Sequence, residues 1–320
     1  MRSVSALFPT FFTLSLITQS CCSVHWCYDS QSQSCGPKHW KEIQSTCGGK
    51  SQSPINIDMS NVDRDNNLQH FVFEGYSTVP PGQWSIANNG HSVQVTLDTN
   101  VSISGGGLVG KYKALQLHFH WGNGLSYGSE HTINKKQYPM ELHIVHMSER
   151  YTDIRDALKK TDGLAVLGFM LEVTETDNPN YNTLTDVLEK VSHQGDKVWL
   201  SSTFQLNSIL PKVARLSQYY RYQGSLTTPN CSEAVVWSVF EEPISISKAQ
   251  LMKFANTLYF SARGESEQKM QNNFRSPQPL NGRRVSASKD ATINSCPVHT
   301  SSLLSVVLVL GLGLGLRIML

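Results

Sequence analysis

Short runs of alternating apolar and polar residues dominate the middle of the chain, and their period of two is that of half-buried β-strands. Val93, Val95 and Leu97 alternate with Gln94 and Thr96. Leu115 to Trp121 alternates strictly, and Glu141 to Met147 does so through Leu142, Ile144 and His146. Leu164 to Val173 and Ala234 to Phe240 are nearly continuous apolar runs, which predict strands buried on both faces. Helical periodicity is rarer. It predicts helices over Leu184–Val191 and Ser247–Leu258, the second with Ser247 placed to cap its N-terminus. Pro80-Pro81-Gly82, Asn88-Asn89-Gly90, Gly105-Gly106-Gly107 and Asn123-Gly124 punctuate these runs as turns. Helices come one at a time, so repeating βαβ units are not indicated. The fold class expected is mainly β, as one domain over 24–288 with no internal repeat.

Both ends depart from this pattern. Met1-Arg2-Ser3, an apolar run from Leu7 to Ile17 and small residues at Ser20 to Ser23 predict a secretory signal peptide over 1–23. Residues 289–320 read as a spacer followed by an apolar tail from Leu303 to Leu316, shorter than the roughly 20 residues of a bilayer span. Small residues at Asn294, Ser295 and Cys296 ahead of that tail fit a glycosylphosphatidylinositol (GPI) anchor signal. Arg317 leaves a short spanning helix as the alternative. Either way the folded part is expected at the extracellular face of the plasma membrane.

That placement changes the meaning of the cysteines. Seven are present, and Cys21, Cys22 and Cys296 lie in or beside the segments expected to be processed. Cys27, Cys35, Cys47 and Cys231 remain for two disulfides in an oxidising compartment, and four cysteines allow three pairings. Asn100-Val101-Ser102 is a glycosylation sequon in that compartment. Asn230-Cys231-Ser232 also matches the pattern, with a disulfide cysteine inside it. A formal charge of +2 over 320 residues gives no reason to expect nucleic acid.

The candidate chemistry is carried by histidines. In Gln116-Leu117-His118-Phe119-His120-Trp121 the polar side chains share one strand face, while Leu117, Phe119 and Trp121 face apolar packing. Glu141 and His143 share a face of a later strand, and pairing the two strands makes His143 a third ligand for one ion. Three neutral imidazoles leave Zn2+ with its full charge and an open fourth position, the pattern of a catalytic site. Gln116 and Glu141 are placed to hold the outer nitrogens of His118 and His143.

At this point the chain resembles the α-class carbonic anhydrases. The resemblance runs through His25 to Tyr28, Gln52 to Ile57, Asn88 to His91, Gln116 to Trp121, Gly128 to Thr132, Glu141 to His146, Gly163 to Gly168 and Ser225 to Pro229. The processed ends and four cysteines are most similar to a GPI-anchored branch of that family. It implies a large, mostly antiparallel twisted central sheet with short peripheral helices, a zinc cofactor on His118, His120 and His143, and reversible hydration of carbon dioxide to bicarbonate and a proton. Thr227, hydrogen-bonded to Glu130, would orient the attacking hydroxide, and Thr228 would help bind bicarbonate. Val145, Val166, Leu226 and Trp237 would form the apolar wall for substrate. His91 would export the proton, with Tyr28 and Asn89 ordering the water between. His131 and His146 are expected to be structural. The resemblance pairs Cys27 with Cys35 and Cys47 with Cys231. Gln94 and Met147 depart from the residues usual at their positions. Partners beyond carbon dioxide, bicarbonate, water and the membrane would be bicarbonate transporters. Alternative functions are a binding module of the same fold, which the complete histidine set argues against, and a zinc esterase; His-Glu-x-x-His is absent, so a zincin peptidase is not indicated.

Overall fold

A computed structural model describes residues 25–97 and 100–294; the expected signal peptide and C-terminal tail lie outside the described residues. Eight strands position the site: β1 (Ser85–Asn88), β2 (Val93–Thr96), β3 (Tyr112–Trp121), β4 (Met140–Ser148), β5 (Leu164–Thr174), β6 (Lys197–Trp199), β7 (Tyr219–Gly224) and β8 (Val235–Ser247). They run β6-β1-β2-β3-β4-β5-β8-β7 across a 12-stranded sheet. Neighbours along this run are antiparallel except β5 and β8, which pair in parallel. These are the two strands with nearly continuous apolar runs. A parallel pair inside a large sheet is covered on both faces, and such a strand has no polar side to show.

Alternation along the central strands builds two cores. Leu117, Phe119, Leu142, Ile144, Ala165 and Leu167 enter the larger one, while Val145, Val166, Met170, Val239 and Trp237 enter a smaller one on the opposite face. Full burial of a Phe or Leu side chain is worth about 1.5–3 kcal/mol, so a one-residue slip of β3 would forfeit several such terms at once. Register shifts between Val145 and His146: Val145 faces Gln116 whereas His146 faces Ala114, leaving Leu115 as an extra residue on β3. Such a bulge re-aims the side chains beside it. Here those are Gln116 and the ligand strand beyond it.

The helices are few and short. Helix α1 (Lys248–Thr257) begins where its cap predicts: Ser247 Oγ accepts from the Gln250 amide at 3.1 Å, and the Gln250 side chain accepts from the Ser247 amide at 3.3 Å. The helix predicted over Leu184–Val191 is instead one α-turn, Asn182–Thr185, followed by a 3-10 turn, Leu188–Val191. Leu184, Leu188 and Val191 are all buried, so the apolar spacing is satisfied by either geometry. The Thr and Val residues between them favour the tighter break through their stiff β-branched side chains.

Order continues past Ser288, where the sequence places the domain end. The Lys289 amide donates to Leu68 O at 3.2 Å and the Asn294 amide to Met59 O at 2.9 Å, while the Arg64 guanidinium donates to the carbonyls of Ser288 and Ala291. Cysteines 27 and 35 form one disulfide and 47 and 231 the other. No helix among the described residues is long and apolar enough to cross a membrane.

Candidate metal centre

β3 and β4 pair so that His118 lies directly opposite His143 and His120 opposite Glu141. Strand pleat therefore turns all three histidines to one face. Their rings stand 4.7–5.1 Å apart, centroid to centroid. Each ring has one nitrogen committed outward. His118 Nδ1 donates to Gln116 Oε1 at 2.8 Å, His120 Nδ1 to the backbone carbonyl of Asn273 at 2.7 Å, and His143 Nε2 to Glu141 Oε1 at 2.7 Å. The nitrogens left over are Nε2, Nε2 and Nδ1, each with its lone pair turned inward, and one ligand atom from each ring falls within 4.8 Å of the others.

These residues fit a tetrahedral zinc. His143 Nδ1 and His118 Nε2 are 3.3 Å apart, which is the edge of a tetrahedron built on Zn–N bonds of about 2.0–2.1 Å. His120 Nε2 is a buried nitrogen without a hydrogen-bond partner, and a ligand atom awaiting its ion has that character. Burial holds all three imidazoles below their ordinary pKa, His120 down to about 3, so each is neutral and competent to ligate.

Glu141 does more than hold His143. Its Oε1 also accepts from His131 Nδ1 at 2.7 Å, and its Oε2 accepts the backbone amides of Glu130 and His131, both at 2.8 Å. Burial pushes its carboxyl up, but His131 and His143 outweigh that and hold it well below the usual range. His131 in turn meets the Tyr222 hydroxyl at 2.6 Å, and His146 meets that of Tyr76 at 2.6 Å. Both histidines belong to hydrogen-bonded core networks.

Above the histidines, Glu130 Oε1 accepts from the Arg275 amide at 2.8 Å, and Glu130 Oε2 is 3.4 Å from His120 Nε2. Burial and then Glu141 push the Glu130 carboxyl well up; the Thr227 hydroxyl and Arg275 pull the other way. A divalent cation on the histidines would add to that pull. Thr227 is buried, and Thr228 lines the cavity of about 120 Å³ that opens over His118 and His120 together with Tyr28, Asn89, His91 and Gln94. Val145, Val166 and Trp237 pack together, with Leu226 against them. The Trp237 ring lies 4.8 Å from that of His143.

Asn89 lines the cavity and also shapes the turn beside it. Its Oδ1 accepts the amides of His91 and Ser92 and so closes the turn. Gly90 beside it adopts φ +83°, and a Cβ there would lie 2.7 Å from Gln194, so only glycine fits. His91 stacks on Trp26 with centroids 3.8 Å apart and rings 20° from parallel. Burial, then His25, lowers its pKa to about 4. Two contributors escaped the sequence reading, Asn273 and Arg275. Both act on the site through backbone atoms, which leave no residue-type signal.

The family model for eukaryotic-type carbonic anhydrase matches residues 35–289. The chain belongs to this family. It is 44% identical to carbonic anhydrase 15 of Mus musculus, over 97% of this chain and 96% of that one. Carbonic anhydrase 4 of Oryctolagus cuniculus is 40% identical over 84% of this chain and 85% of its own, and carbonic anhydrase 7 of Homo sapiens 42% over 79% and 94%. The protein is thus a carbonic anhydrase enzyme, and hydration of carbon dioxide with zinc is the chemistry of its family.

Proposed function

We propose that this carbonic anhydrase hydrates carbon dioxide reversibly at the extracellular face of the plasma membrane, with zinc on His118, His120 and His143. The observation that carries the reading is the convergence of three neutral imidazole nitrogens beside an apolar wall. When bound, zinc supplies the nucleophile by acidifying water, for which carbonic anhydrase is itself the standard example with a pKa of about 7, and it offsets charge on the reacting oxygen.

The chain's own residues do the rest. Thr227 would donate a hydrogen bond to Glu130, leaving its oxygen only as an acceptor, which would fix the direction from which a hydroxide can approach. Val145, Val166, Leu226 and Trp237 receive an uncharged, weakly hydrated substrate, and Thr228 offers a hydroxyl to the charged product. Gln116, Asn273 and Glu141 lock the ligand rings. Tyr28 is fully buried with its hydroxyl unpartnered, which leaves it free to bond water in the cavity. Secretion, a GPI anchor, glycosylation at Asn100 and bicarbonate transporters as partners are supported by the terminal sequence signals, the sequon and the two disulfides.

Removing the metal tests the central reading. Stripping the secreted enzyme, with residues up to Asn294 retained, should abolish carbon dioxide hydration in stopped flow, and one equivalent of Zn2+ should restore it. Unchanged hydration after metal removal would overturn the assignment. His91 makes a separate prediction. Stacked on Trp26 with its pKa near 4, it holds no proton at neutral pH. Carrying one requires the ring to move into solvent, where its pKa returns toward 6.5. His91→Ala should therefore slow turnover in weak buffer and recover it in concentrated imidazole. Trp26→Ala should raise the His91 pKa in an NMR titration; equal loss in both buffers would remove His91 from the proton path.

A further inference from the structure

The segment from Met270 to Arg275 has no regular structure, yet it is bonded to β3 and to the residues above the histidines. Met270 O accepts from Trp121 Nε1 at 2.8 Å, Asn273 O accepts from His120 Nδ1 at 2.7 Å, and the Arg275 amide donates to Glu130 Oε1 at 2.8 Å. Asn273 is fully buried, and its side chain is engaged at both ends. Its Oδ1 accepts from the Trp121 amide at 2.8 Å, while its Nδ2 donates to Phe119 O at 3.3 Å and to His91 O at 3.0 Å. The first two partners flank His120 on β3. The third belongs to a different element, the turn between β1 and β2.

That third bond reaches a residue whose ring has little else to fix it. The His91 ring makes no hydrogen bond among the described residues, and its Nδ1 is buried without a partner. Trp26 and, farther out, His25 stack on it, with centroids 3.8 and 6.0 Å away. Stacking sets the plane of a ring but tolerates an offset. Backbone placement therefore governs how far His91 stands from His118 and His120 across the cavity they share. Asn89 closes the turn on itself, and Ser92 Oγ ties its far end to β3 by donating to Phe119 O at 2.6 Å. Asn273 ties it at His91 itself.

We infer that Asn273 is a positioning residue for proton export: its side-chain amide joins His91 O to the strand bearing His118 and His120, and so sets the reach of the His91 ring from the metal centre. The role rests on the proposed reading of His91 as the proton's exit. One residue thereby couples two parts of the cycle, holding His120 through its carbonyl and His91 through its amide.

The test is Asn273→Ala in the zinc-loaded enzyme. In weak buffer kcat includes proton export, whereas kcat/KM for carbon dioxide covers only the steps up to the first irreversible one. Loss of one positioning hydrogen bond should lower kcat roughly three- to tenfold more than kcat/KM, and concentrated imidazole should close that gap. In a His91→Ala background the same substitution should open no gap, because no ring is left to misplace. The His91 ring-proton resonances, shielded by Trp26, should move toward unshielded values. Asn273→Asp keeps an oxygen for the Trp121 amide and loses the N–H donors, so it should give the same pattern where the alanine variant does not fold. Equal falls in kcat and kcat/KM, as from a merely structural residue, would overturn the inference. So would the same gap without His91, or ring resonances that stay in place. Undiminished turnover of His91→Ala in weak buffer is the separate failure of the proton-path reading, and it would remove the role of Asn273 with it.

Discussion

His118→Ala should leave a folded protein with little zinc and lower its carbon dioxide hydration by at least about a thousandfold, because losing even an outer-shell partner costs about 10–100-fold. The substitution removes one corner of the nitrogen triangle, and the ring it deletes is the one opposite His143 across the two strands. Folding should survive. His118 is only partly buried, and β3 keeps the Leu117, Phe119 and Trp121 face that holds it in the larger core. Gln116→Ala provides the scale. It removes the 2.8 Å bond to His118 Nδ1 and should weaken zinc by about 10–100-fold while leaving measurable turnover. Metal content by mass spectrometry and stopped-flow hydration separate the two variants. Comparable activity in His118→Ala and the wild type would sink the three-histidine centre.

The second large effect is expected from Cys47→Ser with Cys231→Ser. This disulfide closes a separation of 184 residues, against 8 for Cys27–Cys35. In the chain-entropy picture the long closure is worth about 5 kcal/mol and the short one about half that, although measured values cluster at about 2–4 kcal/mol. A domain with about 5–15 kcal/mol in total would lose a large share. The cost extends to catalysis. Cys231 sends its amide to Thr228 O at 2.7 Å, and its carbonyl accepts from Gln52 Nε2 at 3.2 Å. Cutting the tether frees the segment that carries Thr227 and Thr228. Melting temperature should fall by about 10 °C or more, and kcat should fall at temperatures where the variant is still folded. Cys27→Ser with Cys35→Ser should lower the melting temperature less and spare kcat. Equal effects from both pairs would show that the long closure has no special hold on the catalytic loop.

Much of this was legible in the residues because strand alternation exposes a face. Gln116, His118 and His120 recur at period two, and Leu117, Phe119 and Trp121 fill the gaps, so both the strand and its polar side could be read directly. Glu141 and His143 repeat the pattern one strand away. What escaped reading was carried by backbone or by long-range pairing. Nothing in Leu164 to Val173 or Val235 to Phe240 says that the two strands run parallel, since a fully apolar strand suits either direction. The break between Thr185 and Leu188 is invisible to an apolar spacing that α and 3-10 turns both satisfy. Residues 289–294 look like a spacer because Ala291 and Ile293 alone are too short an apolar pattern to signal attachment. Their attachment comes from main-chain bonds and from Arg64, more than two hundred residues away in sequence.

The three ligand histidines differ in what holds their outer nitrogens, and this bears on how the centre can evolve. His118 and His143 lean on side chains, so a single codon change at Gln116 or Glu141 can retune their basicity and with it the grip on the metal. His120 leans on the Asn273 carbonyl, an atom that no substitution at that position deletes. Asn273 keeps the carbonyl in place by donating its side-chain amide to His91 O and Phe119 O while its Oδ1 accepts the Trp121 amide. Variation among descendants of this sequence is therefore channelled: affinity can drift through two of the imidazoles, while the third serves as a fixed reference around which they are adjusted.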